Sequence, residues 1–167
     1  MVRTRSFILF LALALGLEPA WAAWDDPPLV NTVQATTGVV GLNFGMPGRK
    51  QQIAMFLVNS NDPAGFHVEF TFANKGYFKS GVRSIPMTNV VVTRVGGIMG
   101  LTLDPPNDYS LTVNAVTGIA TWSPTGGPPT SATDMLVIGI FVDWPDESGM
   151  ISGFYQENIT AVIVSGP

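Results

Sequence analysis

The chain contains no cysteine. No disulfide can staple the fold, and thiolate nucleophiles and thiolate metal sites are excluded, so stability must come from packing and strand pairing. Histidine is nearly missing too: His67 stands alone, which leaves no His/Cys cluster for zinc. Charge is sparse at 12% of residues and its balance is acidic, with a formal net charge of -4. Nucleic-acid binding needs clustered cations to replace phosphate counterions, and after Arg5 every basic residue falls between Arg49 and Arg94. An anionic membrane surface is not an expected partner either.

Long apolar runs are confined to the start. MVRTRSFILFLALALGLEPAWAA offers two arginines, an unbroken apolar run from Phe7 to Leu17, Pro19, and small residues around Ala20-Trp21-Ala22. That is the layout of a secretory signal peptide over residues 1–22, cut after Ala22, and the run is shorter than the roughly 20 apolar residues of a spanning helix. No membrane span is expected after its removal, and the protein is expected to be secreted or held at the cell surface. Six basic residues then face eleven acidic ones.

Helical signals are also scarce. What recurs is Gly, Pro, Asn, Asp, Ser and Thr every few residues, separating short runs rich in Val, Ile, Phe and Thr, the pattern of an all-β fold. Phe66 to Phe72, FHVEFTF, alternates strictly, with Phe66, Val68, Phe70 and Phe72 on one face, as in a sheet with one buried side. IAMFLVN, Ile53 to Asn59, is apolar throughout, and SNDPAG between the two has turn chemistry, so a hairpin is expected. Further strands are expected at Val39–Phe44, Asn89–Val95, Ile98–Leu103, Tyr109–Val113, Gly118–Trp122, Met135–Trp144 and Gly153–Val164. VNAVTGIA predicts a second hairpin turning at Asn114 to Gly118. The fold expected is an immunoglobulin-like antiparallel β-sandwich over residues 38–167, preceded by an extension at 23–37.

Residues that could carry chemistry all have plainer readings. A Ser-His-Asp arrangement needs a histidine bonded to a nucleophile and a carboxylate, but the strand phase turns His67 outward beside Glu69 and Thr71. Asp104 and Asp108 in DPPND, and Asp143, Asp146 and Glu147 in DWPDE, could supply oxygen ligands to calcium or a glycosidase pair. Asp is also an ordinary turn residue, and no alternating D-x-D-x-D-G run is present. Trp122, Trp144, Tyr77, Tyr109 and Tyr155 could stack on sugar rings or simply finish a core. Asn158-Ile159-Thr160 matches a glycosylation acceptor placed within an expected strand. These residues predict no enzyme, no cofactor and no metal.

The order of GLNFGMPGRKQQIAMFLVNSNDPAGFHVEFTF, IPMTNVVVTRVGG and SGFYQENITAVIV resembles cysteine-free pilus subunits of the chaperone-usher and spore-coat-protein-U-like type. The resemblance implies an incomplete sandwich completed by a donor strand from a neighbouring subunit, with backbone pairing for affinity and alternate side chains for register. It implies a structural subunit of a surface pilus or filament, whose partners are other copies or homologous subunits and a periplasmic chaperone. In the extension, Leu29, Val33 and Ala35 share the phase expected to face a neighbour's groove. Gly153, Tyr155, Ile159, Ala161 and Ile163 match the family's closing strand, the last four standing beside the groove. The alternative is a self-contained secreted binding module resembling a cohesin or a carbohydrate-binding sandwich. Exposed Trp122 and Trp144 on one flat face would favour it.

Overall fold

The computed structural model describes residues 29–38, 40–42, 44, 47–97, 108–124, 135–145 and 154–166, and among these the protein is all-β, with no helix. The strands are β1 (Asn31–Ala35), β2 (Gly48–Ser60), β3 (Phe66–Phe72), β4 (Tyr77–Ser80), β5 (Arg83–Pro86), β6 (Thr88–Gly97), β7 (Tyr109–Ser110), β8 (Ile119–Trp122), β9 (Met135–Trp144) and β10 (Ile159–Ser165). Five form one antiparallel sheet in the order β1-β2-β9-β6-β7, and three form another in the order β10-β3-β8. The strands β4 and β5 make a separate hairpin. The signal segment, the Ile98–Leu103 strand and Gly153 lie outside the described residues.

The core lies between the two larger sheets and follows the period of two that strands impose. From β3 come Phe66, Val68, Phe70 and Phe72; from β2 Ala54, Phe56 and Val58; from β9 Leu136, Ile138, Ile140 and Val142. Phe56 meets Phe70 across the layers with ring centroids 5.5 Å apart. This contact explains why β2 and β3 do not form the expected hairpin: the two strands lie in opposite layers, and the connection between them is an arch. Each presents an apolar face, and two such faces bury one another only when stacked. The arch uses the anticipated chemistry, with Gly65 at φ 84 and Asp62 accepting from the Ala64 N–H.

The second expected hairpin departs in the same way. The turn from Asn114 to Gly118 forms, closed by Gly118 N–H to Asn114 O and by Asn114 Oδ1 accepting from Val116 and Thr117. The strands nearest it, β7 and β8, belong to different sheets. Val39–Phe44 is not a strand where it is described; the Phe44 ring instead packs on Phe78, Trp144 and Tyr155. The closing strand begins at Ile159, later than expected, and Phe154 to Asn158 form an irregular approach to it. The β4–β5 hairpin was not anticipated, although Gly81, at φ 59 in its turn, and the buried Phe78 and Ile85 were readable signals.

Residues 31–35, expected to fill a neighbour's groove, pair antiparallel with β2 of their own chain, from Asn31 opposite Ser60 to Ala35 opposite Phe56. Val33 turns inward onto the core, while Thr32, Gln34 and also Ala35 are exposed. Trp122 and Trp144 are 0% and 2% exposed, so they finish the core and form no stacking platform.

The fully buried Phe70 sits at the centre of this packing. Phe70→Ala is expected to lower the unfolding free energy by about 3–5 kcal/mol in chemical denaturation. Its exposed neighbour Thr71→Ala is expected to stay within about 0.5 kcal/mol of the parent. Equal losses at both positions would show that the inward face of β3 has been misassigned.

Candidate functional site

One flank of the sandwich is where the edge strands of the two sheets, β1 and β10, lie side by side. At one rim of this flank they are tied by polar side chains. Asn31 Nδ2 donates to Ser165 Oγ at 2.7 Å and to Asp62 Oδ2 at 3.3 Å, while Asn31 Oδ1 accepts from Ser60 Oγ at 2.6 Å. Val30 N–H donates to Asn61 Oδ1, and Asn61 N–H returns a bond to Val30 O. Ser60 and Asp62 are buried, so this closed network satisfies groups that would otherwise be costly to bury. The Ser165 hydroxyl, then the Ala64 N–H, hold the Asp62 carboxyl below its ordinary value against the opposing effect of burial.

At the other rim the flank opens into a cleft of about 790 Å³, a volume within the range of small-ligand sites. Its walls are formed by Ala35, Thr37, Gly38, Val40, Gly41, Leu42 and Phe44 on one side and Phe154 to Ile159 on the other, with Phe56 and Phe78 beneath. The second wall is anchored to the sheet. Gln156 exchanges both backbone bonds with Lys79, Asn74 Nδ2 donates to Gln156 O, and Ala73 N–H donates to Asn158 O. Glu157 Oε1 accepts from the backbone N–H of Asn74 and of Asn158, both at 2.8 Å. Its other oxygen, Oε2, is enclosed without a hydrogen-bond partner. Burial raises the Glu157 carboxyl above its ordinary value, and these amides, with the charge of Lys79, offset only some of that effect.

The structure therefore divides the residues singled out from the sequence. Ala35, Tyr155 and Ile159 meet at the cleft, while Val33, Ala161 and Ile163 pack on the core. Leu29, 60% exposed, stands apart from both. Sequence reasoning missed Glu157, Asn74 and Phe78, although Glu157 is a carboxylate inside an otherwise weakly charged closing segment. Asn158 is exposed at the head of β10 and not within it.

The other candidates are held by ordinary contacts. His67 faces outward as expected but is half-buried, its Nδ1 3.1 Å from Gly166 O and its Nε2 3.9 Å from Glu69. Asp143 lies on β9 between two irregularities, in β2 and in β6, each containing a left-handed residue, Lys50 at φ 45 and Asn89 at φ 50. Asp143 accepts from Lys50 N–H and from Asn89 Nδ2, and Arg49 approaches at 3.8 Å. Asp108 pairs with Lys50 Nζ at 2.8 Å and accepts from Thr93 Oγ1 at 2.7 Å. The Lys50 bond, then that of Thr93, holds the Asp108 carboxyl below its ordinary value. Both carboxylates serve the sheet; Asp104, Asp146 and Glu147 lie outside the described residues. Among the described residues no group of three or more His, Asp or Glu could hold a metal ion. Compared with protein-family models, with curated proteins and with solved structures, the chain matches none.

Asp62 and Glu157 give stability opposite dependences on pH. For Asp62 the folded state releases its proton first, so its contribution is present above the ordinary carboxylate range and is lost as pH falls through the lowered value. For Glu157 the folded state holds its proton longer, so stability falls as pH rises from the ordinary range through the raised value. Thermal unfolding followed from about pH 2 to pH 7 is expected to show Asp62→Asn removing the acid-side loss and Glu157→Gln removing the fall on the other side. Parallel curves for parent and variants would show that neither carboxyl titrates differently on folding.

Proposed function

We propose that the chain is a self-contained exported binding module, an immunoglobulin-like sandwich whose ligand site is the cleft between Gly38, Gly41 and Phe44 on one side and Phe154 to Ile159 on the other. The observation that carries this reading is the pairing of β1 with β2 inside one chain, in register over all five residues. A strand already seated in its own sheet, and tied to β10 through Asn31, Asp62 and Ser165, fills the place that a donor would otherwise take. The cleft then offers what a binding module needs: a concave, partly apolar surface with a few polar groups fixed by backbone bonds. With Trp122 and Trp144 buried, the carbohydrate-stacking version loses its platform and the cohesin-like version, recognition of another protein, is favoured.

A second reading, a pilus subunit polymerising by donor-strand insertion with a periplasmic chaperone as partner, draws on the same strand. Being at a sheet edge and turning Val33 inward to the core, β1 could leave its own β2 and pair with that of a neighbouring copy.

The two readings separate on one protein. The self-contained module is expected to run as a monomer in sedimentation, with the amides of Thr32 and Gln34, the ones that point at β2, protected in hydrogen exchange. Val33→Asp is expected to destabilise that monomer by about 1–3 kcal/mol, because a charge would be placed against the core. Thr32→Asp is expected to fold and sediment like the parent. Filaments that vanish with Val33→Asp while the subunit stays folded, together with free exchange at Thr32 and Gln34, would overturn the module and leave the pilus reading in its place.

A further inference from the structure

The cleft presents main-chain groups as well as side chains. Because Gln156 gives both its N–H and its C=O to Lys79, the alternation of an antiparallel pair turns the backbone groups of Glu157 to the opposite side, where the cleft lies. Across from it, Gly38, Val40, Gly41 and Leu42 have no backbone hydrogen bonds to any described residue. The open main chain of Gly38, Val40, Gly41 and Leu42, with the outward N–H and C=O of Glu157 opposite, forms a template for an extended chain, since these groups gain partners when one lies between them. Nothing lies within 4 Å of a Cβ built on Gly38 or Gly41, so the far wall leaves room for side chains. Charge narrows the occupant further: among the described residues Glu157 is the only carboxylate on the lining and no Lys, Arg or His lines it, the charge of Lys79 reaching Glu157 from outside. In these partly dry surroundings a carboxylate attracts a cation more strongly than it would in water, even without touching it.

We propose that the cleft binds an extended peptide segment of a partner protein, pairing with it backbone to backbone and selecting a basic side chain beside Glu157. The proposal rests on the reading of the chain as a self-contained binding module and names what that module recognises. The peptide's apolar side chains, alternating along the strand, meet Phe44, Phe56 and Phe78, and its basic residue balances Glu157.

The test uses capped hexapeptides of alternating Val and Thr with one Lys walked through every position, titrated into the whole protein and followed by amide chemical shifts. Binding is expected at one Lys position, with the shifts centred on Gly38, Gly41 and Glu157. N-methylation of alternate amides along one edge of the best peptide is expected to weaken it by about tenfold or more, since it deletes backbone donors. Replacing its Lys by Glu is expected to weaken it similarly, and Glu157→Gln is expected to erase most of that preference. Gly41→Trp, which fills the cleft from an open position, is expected to abolish binding while leaving thermal unfolding near that of the parent. Binding insensitive to N-methylation on either edge would overturn backbone pairing, and binding of the Glu peptide as strong as the Lys peptide would overturn the charge selection. Absence of binding throughout the series would overturn the peptide class, whereas failure of the module reading itself would appear separately, as filaments and freely exchanging amides at Thr32 and Gln34.

Discussion

Everything in this architecture depends on the face-to-face stacking of β2 on β3, sealed where Phe56 meets Phe70. The apolar second half of a thirteen-residue strand and the apolar face of a seven-residue strand are set against each other from interior positions of two opposed layers. The remaining strands take the places left open: β9 and β6 beyond β2, β8 on one side of β3 and β10 on its other side. The arch at Ser60 to Gly65 carries the chain between layers, which is why the buried Asp62 lies close enough to both β1 and β10 to join them. Without disulfides, hydrogen-bonded knots of this kind and the aromatic core take on the work of holding edges in place.

Periodicity was the most legible feature, and it was legible where burial was one-sided. Phe66–Phe72 is a strand over those residues because its alternation leaves one consistent face to hide, and Met135–Trp144 is continuous because both its neighbours in the sheet are long strands. Layer membership was not legible. A turn such as Asn114 to Gly118 has the same residues whether the strands beside it pair or diverge, since the choice is made by apolar faces distant in sequence. Val39–Phe44 misled for a related reason: β-branched and apolar residues next to glycine read as a strand, but Phe44 gains more from three aromatic neighbours than from a ladder. The cleft could not be read at all, since its two walls are more than a hundred residues apart and meet only after both sheets have formed.

The two irregularities opposite Asp143 show how a local departure from regular pairing can be fixed by a single side chain. Lys50 and Asn89 both take backbone conformations that ordinary residues adopt at some cost, and both spend a polar group on the same carboxylate. The central strand thus sets the shape of its two neighbours at once. Asp143 is best understood as a brace, and Asp108 is another, joining Lys50 to Thr93.

The knot of Asn31, Ser60, Asp62 and Ser165 also decides how the domain meets mechanical load. It brings the N-terminal edge strand and the C-terminal one together at a single rim, with Asn31 and Ser165 in direct contact. Tension applied through the two flanking stretches of chain therefore meets that rim first, and it peels β1 from β2 and β10 from β3 one residue pair at a time, like a zip. Strands pulled lengthwise against each other would resist with all their hydrogen bonds together; peeled strands resist with one. Suspended between its two ends, the domain would yield early, and suspended from one end it would bear no such load, leaving the cleft at the far rim turned outward.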